Sequence, residues 1–413
     1  MPKVLEGIRV ADFSHVMAGP FASHFLSLLG ADVIKLEAPE RGDPMRYYGD
    51  DRRYDGMAPA FIAANAGKRS IVVDLKQDSG REVARRLIAS SDVVLENFRP
   101  GVMERLGLGY EACKALRPQI VFCSISGFGQ SGPLRDYPAI DNTVQAASGM
   151  MSMSGEPGGA AARVGFPVVD SYTGTLAALA VTSALLGRER FGGGQHIDVS
   201  MLDASLVLMS AAAVPYLVTG QTPARTGNVG FSGQPTAGVF QTKDGTQVSL
   251  GVVQANQYAA LSRAIGREDL LTDARFASPE LRKRNAPALR ELLEQVFQQR
   301  DGAVWERLLA EAGAPCGLVR DVASVLSQPQ LDTRTIKQPI RMPGLPDRQD
   351  VHVLNAGFEF ASDGPGVTRA PPALGEHTEE LLEELGFSAE QRARMRASGA
   401  AYARRAASEH SGT

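Results

Sequence analysis

The sequence predicts an α/β protein with a large domain built on a parallel sheet and a smaller α+β domain. Three observations carry this: β-branched runs alternate with helical stretches through the first third, 413 residues exceed one core of ordinary size, and a hairpin signal opens a differently patterned region near residue 238. Ile8–Phe13 reads as the first strand and is followed by a helix near Phe21–Leu29. Asp32–Glu37 leads into an irregular charged segment, and Ser70–Leu75 into a helix near Gly80–Ala89. Asp92–Phe98 precedes a helix around Tyr110–Leu116, and Ile120–Ile125 closes the series. Strands joined by helical crossovers pair in parallel and need cover on both faces, which is a Rossmann-like arrangement.

After Gly132 the pattern becomes irregular and rich in Met, Ser and Gly, until a long apolar helix begins near Thr173. A second helix is expected from Ser200 to Leu217, followed by the Gly/Pro/Thr-rich loop Gly220–Gly238. Gly238–Thr242 and Thr246–Val253 flank Lys243-Asp244-Gly245 as a hairpin, and a charged helical stretch runs from Gln257 to Ala312. The expected division is a large domain over 1–220, a linker and loop over 221–237, a small domain over 238–330 and a return to the large domain over 331–413. Helices are expected at His377–Gly386 and Ala389–Arg405, before a frayed polar tail.

With 43 basic and 46 acidic residues the net charge is -3, so neither a nucleic-acid footprint nor a cationic face for anionic lipid is present. The apolar stretches Leu176–Leu186 and Leu206–Val218 fall short of the roughly 20 residues that cross a bilayer and read as buried helices. Cys113, Cys123 and Cys316 lack disulfide or zinc spacing, and the N-terminus lacks the apolar core of a signal peptide. A cytoplasmic protein acting on small molecules is expected.

Gly127-Phe-Gly129-Gln-Ser-Gly132 matches a dinucleotide fingerprint, but that motif must open a helix, and here Pro133 and Pro138 bracket a turn. NAD is therefore not expected. Neither is ATP, because no Walker A sequence is present, and the six histidines show no metal spacing. G-x-S-x-G is absent as well, which removes serine hydrolase chemistry. Glu96-Asn97-Phe98-Arg99-Pro100-Gly101 follows a strand, where open sheets bind ligands; it reads either as an adenine and phosphate holder or as a strand-exit turn with a buried Phe. Asp170, in Gly165-Phe-Pro-Val-Val-Asp-Ser-Tyr-Thr-Gly174, reads as an N-cap, as a nucleophile kept ionised by a helix start, or as both.

Taken together, these segments resemble the family III CoA-transferases, the group containing formyl-CoA and carnitine CoA-transferases. The marks are Asp12-Phe-Ser-His-Val-Met-Ala-Gly-Pro20, Gly30-Ala-Asp-Val-Ile-Lys-Leu-Glu37, Lys68-Arg-Ser-Ile-Val-Val-Asp-Leu-Lys76 and Glu96-Asn-Phe-Arg-Pro-Gly-Val-Met-Glu-Arg-Leu-Gly107. Gly194-Gln-His-Ile-Asp-Val-Ser200, Ala314-Pro-Cys-Gly317 and Pro371-Pro-Ala-Leu-Gly-Glu-His-Thr378 continue the series along nearly the whole chain.

The resemblance implies an obligate homodimer of interlocked subunits, with Asp170 as the nucleophile that becomes an aspartyl-CoA thioester. It implies CoA contacts at Asn97, Phe98 and Arg105, and further ones at Val16, Val73, Lys76 and Arg135. Gly230-Phe-Ser-Gly-Gln-Pro235 resembles the family's mobile glycine loop, which shields the intermediate. CoA enters as part of the substrate, and exchange of one thioester for another needs neither ATP nor metal.

Formyl-type members carry Gln where Met17 stands, consecutive glycines in the loop, and an arginine at Ala38, whose phosphate contact is either lost here or supplied by Arg41 or Arg46. The changes at Met17 and in the loop disfavour formate and oxalate exchange. Succinyl-CoA and a C4–C6 dicarboxylate are the expected pair, with Arg46, Arg52 and Arg53 available to a distal carboxylate or else solvated. The rival readings are an α-methylacyl-CoA racemase, which wants a histidine where Ile140 precedes Asp141, and a non-catalytic acyl-CoA-binding protein.

Overall fold

The computed structural model describes residues 3–49, 51–54, 56–342, 345 and 348–402, without the side chain of Arg52. The chain forms two compact units, one of residues 1–150, 163–221 and 330–413, the other of 151–162 and 222–329.

The first unit is organised by six parallel strands: β1 (Arg9–Asp12), β2 (Asp32–Glu37), β3 (Arg69–Val72), β4 (Val93–Glu96), β5 (Val121–Ser126) and β6 (Gln195–Ser200). Their order is β3-β2-β1-β4-β5-β6, so the winding reverses between β1 and β4. Side chains alternate between two cores as the pleat requires. Ala11, Ile34, Val94 and Phe122 pack on one face with Val83, Leu87, Leu381 and Met395 from covering helices. Val10, Val33, Val93 and Val121 pack on the other with Ala22 and Leu26 of the helix Ala18–Leu28 and with Ala177 and Val181 of the helix Val168–Phe191.

Several sequence expectations need correction here. Ile120–Ile125 does not close the sheet, because β6 pairs in parallel beside β5. Its first three residues include two exposed polar side chains, which hid an edge strand from a reading based on apolar runs. The long helix begins at Val168 instead of Thr173, and at 24 residues it is long and apolar enough to cross a bilayer on length and composition. Val169, Ala177 and Val181 on one side of it are buried in the first unit. The expected helix from Ser200 to Leu217 is two helices, Met201–Leu208 and Ser210–Thr219, bent by 82°. No helix follows 127–132 before Asp141–Ala147, so the dinucleotide fingerprint lacks the element that would receive a pyrophosphate.

In the second unit β7 (Ala237–Gln241), β8 (Gln247–Gly251) and β9 (Cys316–Leu318) form an antiparallel sheet. The hairpin closes where Asp244 Oδ1 accepts from the hydroxyls of Thr242 at 2.6 Å and Thr246 at 2.8 Å. Phe240, Leu250, Phe297 and Trp305 form its core with the intervening helices. Residues 151–162, placed by the sequence reading in the large domain, belong to this unit: Ala162 N–H donates to Ser154 O, and Arg225 donates to Gly159 O. The C-terminal return adds a hairpin that periodicity did not show, β10 (Lys337–Arg341) with β11 (Asp350–Leu354). The final helix ends at Ser398, and most of the expected frayed tail lies outside the described residues.

Candidate active site

A cleft of about 530 Å³ opens beyond the carboxyl ends of the central strands. It is lined by Ser14 and His15 after β1, Glu40 and Asp43 after β2, Val73 and Lys76 after β3, and Phe98 after β4. Of the predicted contacts, Val73, Lys76 and Phe98 are thus brought together. Val73 contributes its buried side and not its amide, since that N–H donates to Glu37 O at 2.9 Å.

Asn97 joins this group in an unexpected role. Its Oδ1 accepts from His15 N–H at 2.9 Å and its Nδ2 donates to His15 O at 2.8 Å, so the amide grips the backbone beside Val16. Gly19 lets the first turn of the helix approach, because a Cβ there would lie 2.3 Å from Ser14 Cβ and 3.3 Å from Asn97 Cγ. The His15 and Phe98 rings then meet at 5.3 Å. Phe98 N–H donates to Glu96 Oε2 at 2.8 Å, and burial pushes the Glu96 carboxyl up to about 7.

Arg105 and Arg135 face one turn. A Cβ on Gly101 would lie 3.1 Å from an Arg105 nitrogen and 3.5 Å from one of Arg135. Arg135 also donates to Gln130 O at 2.8 Å and pairs with Asp136, whereas no ion pair engages Arg105 or Lys76 among the described residues. Exposed cations of this kind suit a phosphate-bearing ligand.

Asp170 lies elsewhere in the same unit, not on the cleft lining. It is the third residue of its helix, and Pro167 occupies the cap position, which corrects the N-cap reading. The helix start is held instead by Asp141, whose Oδ2 accepts from Val169 N–H at 2.8 Å and Asp170 N–H at 3.1 Å. Gln145 donates to Asp141 Oδ1 at 2.6 Å, and its own Oε1 accepts from Val164 N–H, locking this second carboxylate. Burial and then the neighbouring Asp141 push the Asp170 carboxyl up to about 7. The expectation that the helix start holds Asp170 low is therefore overturned: Asp141 already takes the backbone donors. Gly174, one turn (about 5.4 Å) further along, presses against Ala18, whose carbonyl oxygen would lie 2.6 Å from a Cβ at Gly174. Asp170 therefore stands one turn from the helix that Val16 and Met17 introduce.

The basic cluster at 46–53 does not offer free guanidinium groups. Arg46 is fully buried, binds Glu37 through two bonds of 2.8 and 2.6 Å, and donates to Gly56 O and Pro372 O. It cannot take a distal carboxylate or a CoA phosphate without breaking that pair. Arg53 pairs with Asp51 at 2.6 Å on the surface, and the Arg52 side chain lies outside the described residues. Arg41 packs over the Tyr47 ring. His24 packs in the core with Nδ1 3.0 Å from Ala66 O. Among the described residues no group of three or more His, Cys, Asp or Glu is placed to hold a metal.

Sequence reasoning missed Lys35, Asp43 and Gln145, which act through backbone they do not adjoin. Asp141 stood out only through its neighbour Ile140, the N-cap of the helix Asp141–Ala147. In the second unit Gly230-Phe-Ser-Gly-Gln-Pro235 is a closed loop: Gly230 N–H donates to Ala237 O at 2.8 Å and Phe231 is exposed at its tip.

The family model described as CoA-transferase family III matches residues 5–378. An acetyl-CoA:oxalate CoA-transferase of Acetobacter aceti is 38% identical over 384 residues, 92% of this chain and 95% of the relative. A succinate–glutarate CoA-transferase of Agrobacterium fabrum is 33% identical over 386 residues, 92% of this chain and 95% of its own length. A crystal structure of a CAIB/BAIF family protein from Brucella suis superposes with a TM-score of 0.83 at 35% identity, covering 93% of this chain and 100% of that one.

Proposed function

This chain belongs to CoA-transferase family III, and from that premise we propose that Asp170 is the carboxylate that carries CoA between donor and acceptor. The enzyme transfers CoA from an acyl-CoA to a carboxylic acid. The observation that carries the residue assignment is a half-buried aspartate whose carboxyl is raised by burial and by a neighbouring carboxylate, on a helix that packs beside the one introduced by the Val16 bend. A carboxylate raised to about 7 is a stronger nucleophile than an ordinary one while still ionised in a large fraction of molecules at neutral pH.

In this mechanism an Asp170 oxygen attacks the thioester carbonyl, and the C–S bond breaks to give an acyl-aspartyl anhydride and CoA thiolate. The thiolate then attacks the Asp170 carbonyl carbon, forming the aspartyl-CoA thioester and releasing the first acid as its carboxylate. An incoming carboxylate attacks that thioester and expels the thiolate, which finally attacks the new acyl carbonyl and frees Asp170. Protons and electrons balance without a further reactant. CoA is held by the Rossmann-like sheet end, with Val73 and Phe98 along the cleft, Val16 next to the cleft-lining His15, Lys76, Arg105 and Arg135 toward its phosphates, and Asn97 acting through the His15 backbone.

The acids named for the two relatives, oxalate, succinate and glutarate, are all dicarboxylates. A dicarboxylate acceptor with succinyl-CoA as donor is the corresponding proposal here, with C4–C6 acids ahead of formate and oxalate because Met17 and the 230–235 loop depart from the formyl-type pattern. The working form is a cytoplasmic, obligate homodimer of interlocked subunits. The helix Ser210–Thr219 supports this, having no buried residue while Leu217 and Val218 are each 78% exposed.

Incubation with donor acyl-CoA is expected to place CoA on the peptide containing Asp170, with hydroxylamine removing it. Loading of any other residue, or none, would sink the assignment. A side-by-side acceptor screen is expected to rank succinate or glutarate first, and fastest transfer to formate would overturn that choice.

A further inference from the structure

Resting on the reading of the cleft as the CoA site, we propose that Asp43, secured by Lys35, is a positioning residue whose carboxylate fixes the Val16 peptide for CoA binding. Val16 adopts φ 66°, in the left-handed region, and is 39% exposed. Among the described residues only Val16, Glu40 and Asp363 are non-glycine residues with positive φ, and Val16 alone of these is β-branched, the class for which this conformation is a true outlier.

Side chains from four separate segments hold the bend. Ser14 N–H donates to Asp12 Oδ1 at 2.9 Å, and Ser14 O accepts from Lys35 Nζ at 2.7 Å. Both polar groups of the His15 backbone are taken by Asn97. Val16 N–H, the group at the strained residue itself, donates to Asp43 Oδ1 at 3.1 Å, which also accepts from Met45 N–H at 2.9 Å. The other Asp43 oxygen lies 2.8 Å from Lys35 Nζ, in a pair whose side chains are 0% and 1% exposed.

Two features make this more than a structural pair. A buried ion pair carries a large desolvation cost, and this one is committed to the mouth of the cleft that both residues line. Strain held by surrounding structure concentrates where a peptide must be presented to a ligand. Lys35 and Asp43 together grip the carbonyl before His15 and the amide after it, so the 14–16 peptides cannot relax independently. The charged groups facing the pair are Asp12 with Lys68 and Glu37 with Arg46, and the remaining titratable neighbour is His15, which burial shifts toward its neutral form.

The test compares two neutral double variants, so that neither leaves a lone buried charge. Lys35→Met with Asp43→Asn keeps an acceptor for Val16 N–H, whereas Lys35→Met with Asp43→Leu does not. By calorimetry the Leu variant is expected to bind CoA about tenfold more weakly than the Asn variant, the scale of one lost hydrogen bond plus a released bend, while their kcat values agree within about twofold. Adding Val16→Gly to the Leu variant is expected to recover most of that loss, since glycine holds φ 66° without strain. Equal CoA affinity in the two folded doubles, or no recovery with Val16→Gly, overturns the proposal. If the Leu variant does not fold, Val16→Pro at this exposed site replaces it: proline removes the N–H and the left-handed bend, and parent-like affinity overturns the proposal. A parent enzyme that transfers CoA between acids but binds it independently of the cleft would overturn the site reading, an outcome visible before any variant is made.

Discussion

Asp43 and Asp170 are the same residue type in the same unit, the first buried and the second half-buried, yet their environments drive them in opposite directions. Burial works against the Asp43 charge, but Lys35 at 2.8 Å and the amides of Val16 and Met45 hold its carboxyl below the usual range. Burial works against Asp170 too, and there the next influence is the carboxylate of Asp141, so its carboxyl rises to about 7. What separates them is the partner, since the more deeply buried of the two is the one held low. A buried acid with a cation is a fixed part of the scaffold; one facing another acid, with its backbone donors already taken, titrates nearer neutrality, as the proposed nucleophile requires.

Three experiments would break or sharpen this contrast. The largest effect is expected from Asp170→Ala, which should lower exchange by about 10³-fold or more while the protein stays folded, because the helix start is held by Asp141. Near-parent transfer by a folded variant would remove Asp170 from the mechanism.

Next, stability should respond with opposite signs at the two sites. Asp43→Asn leaves Lys35 charged and buried without its counter-ion, and is expected to cost about 3 kcal/mol in denaturant unfolding. Asp170→Asn should stabilise, because the parent's raised carboxyl makes folding less favourable as pH climbs from its unfolded value of 3.8 toward about 7. The gain over parent should therefore grow across that interval and level off above it. The Asp43 contribution runs the other way: it is present above the ordinary aspartate range and is lost as pH falls through its depressed value. A shared sign at pH 8 would mean that burial alone governs both residues.

The smallest expected effect is a shift in the pH profile. Asp141→Asn removes the like charge beside Asp170 but leaves burial, the larger cause, so the acid limb of kcat should move to lower pH by less than the whole displacement from 3.8. An acid limb that moves upward would show Asp141 stabilising the ionised nucleophile instead.

How legible the molecule was depended on whether the signal was local. Strands β1 to β5 and the Lys243-Asp244-Gly245 hairpin were readable because apolar runs and turn residues act over a few positions. β6 was not, since an edge strand such as Gln195–Ser200 earns its place by pairing with Val121–Ser126 and need not be apolar itself. Asp170 was singled out through the motif around it, and its position near a helix start is local too, but the expectation of a carboxyl held low there did not hold. The residue that caps the helix, Asp141, lies 29 residues before Asp170 and leaves no periodic trace.

The sequence by itself determined the alternating strand and helix order, the family, and a set of candidate side chains, because propensity and short motifs are written in neighbouring residues. Only the tertiary structure decided what those side chains do. Asn97 grips His15 across 82 residues, Arg46 is spent on Glu37 instead of a substrate, and Asp43 reaches back 27 residues to hold Val16. Hydrogen bonds and charge pairs between distant segments set pKa values and backbone strain, and these depend on distances that exist only once the sheet has brought its strand ends together.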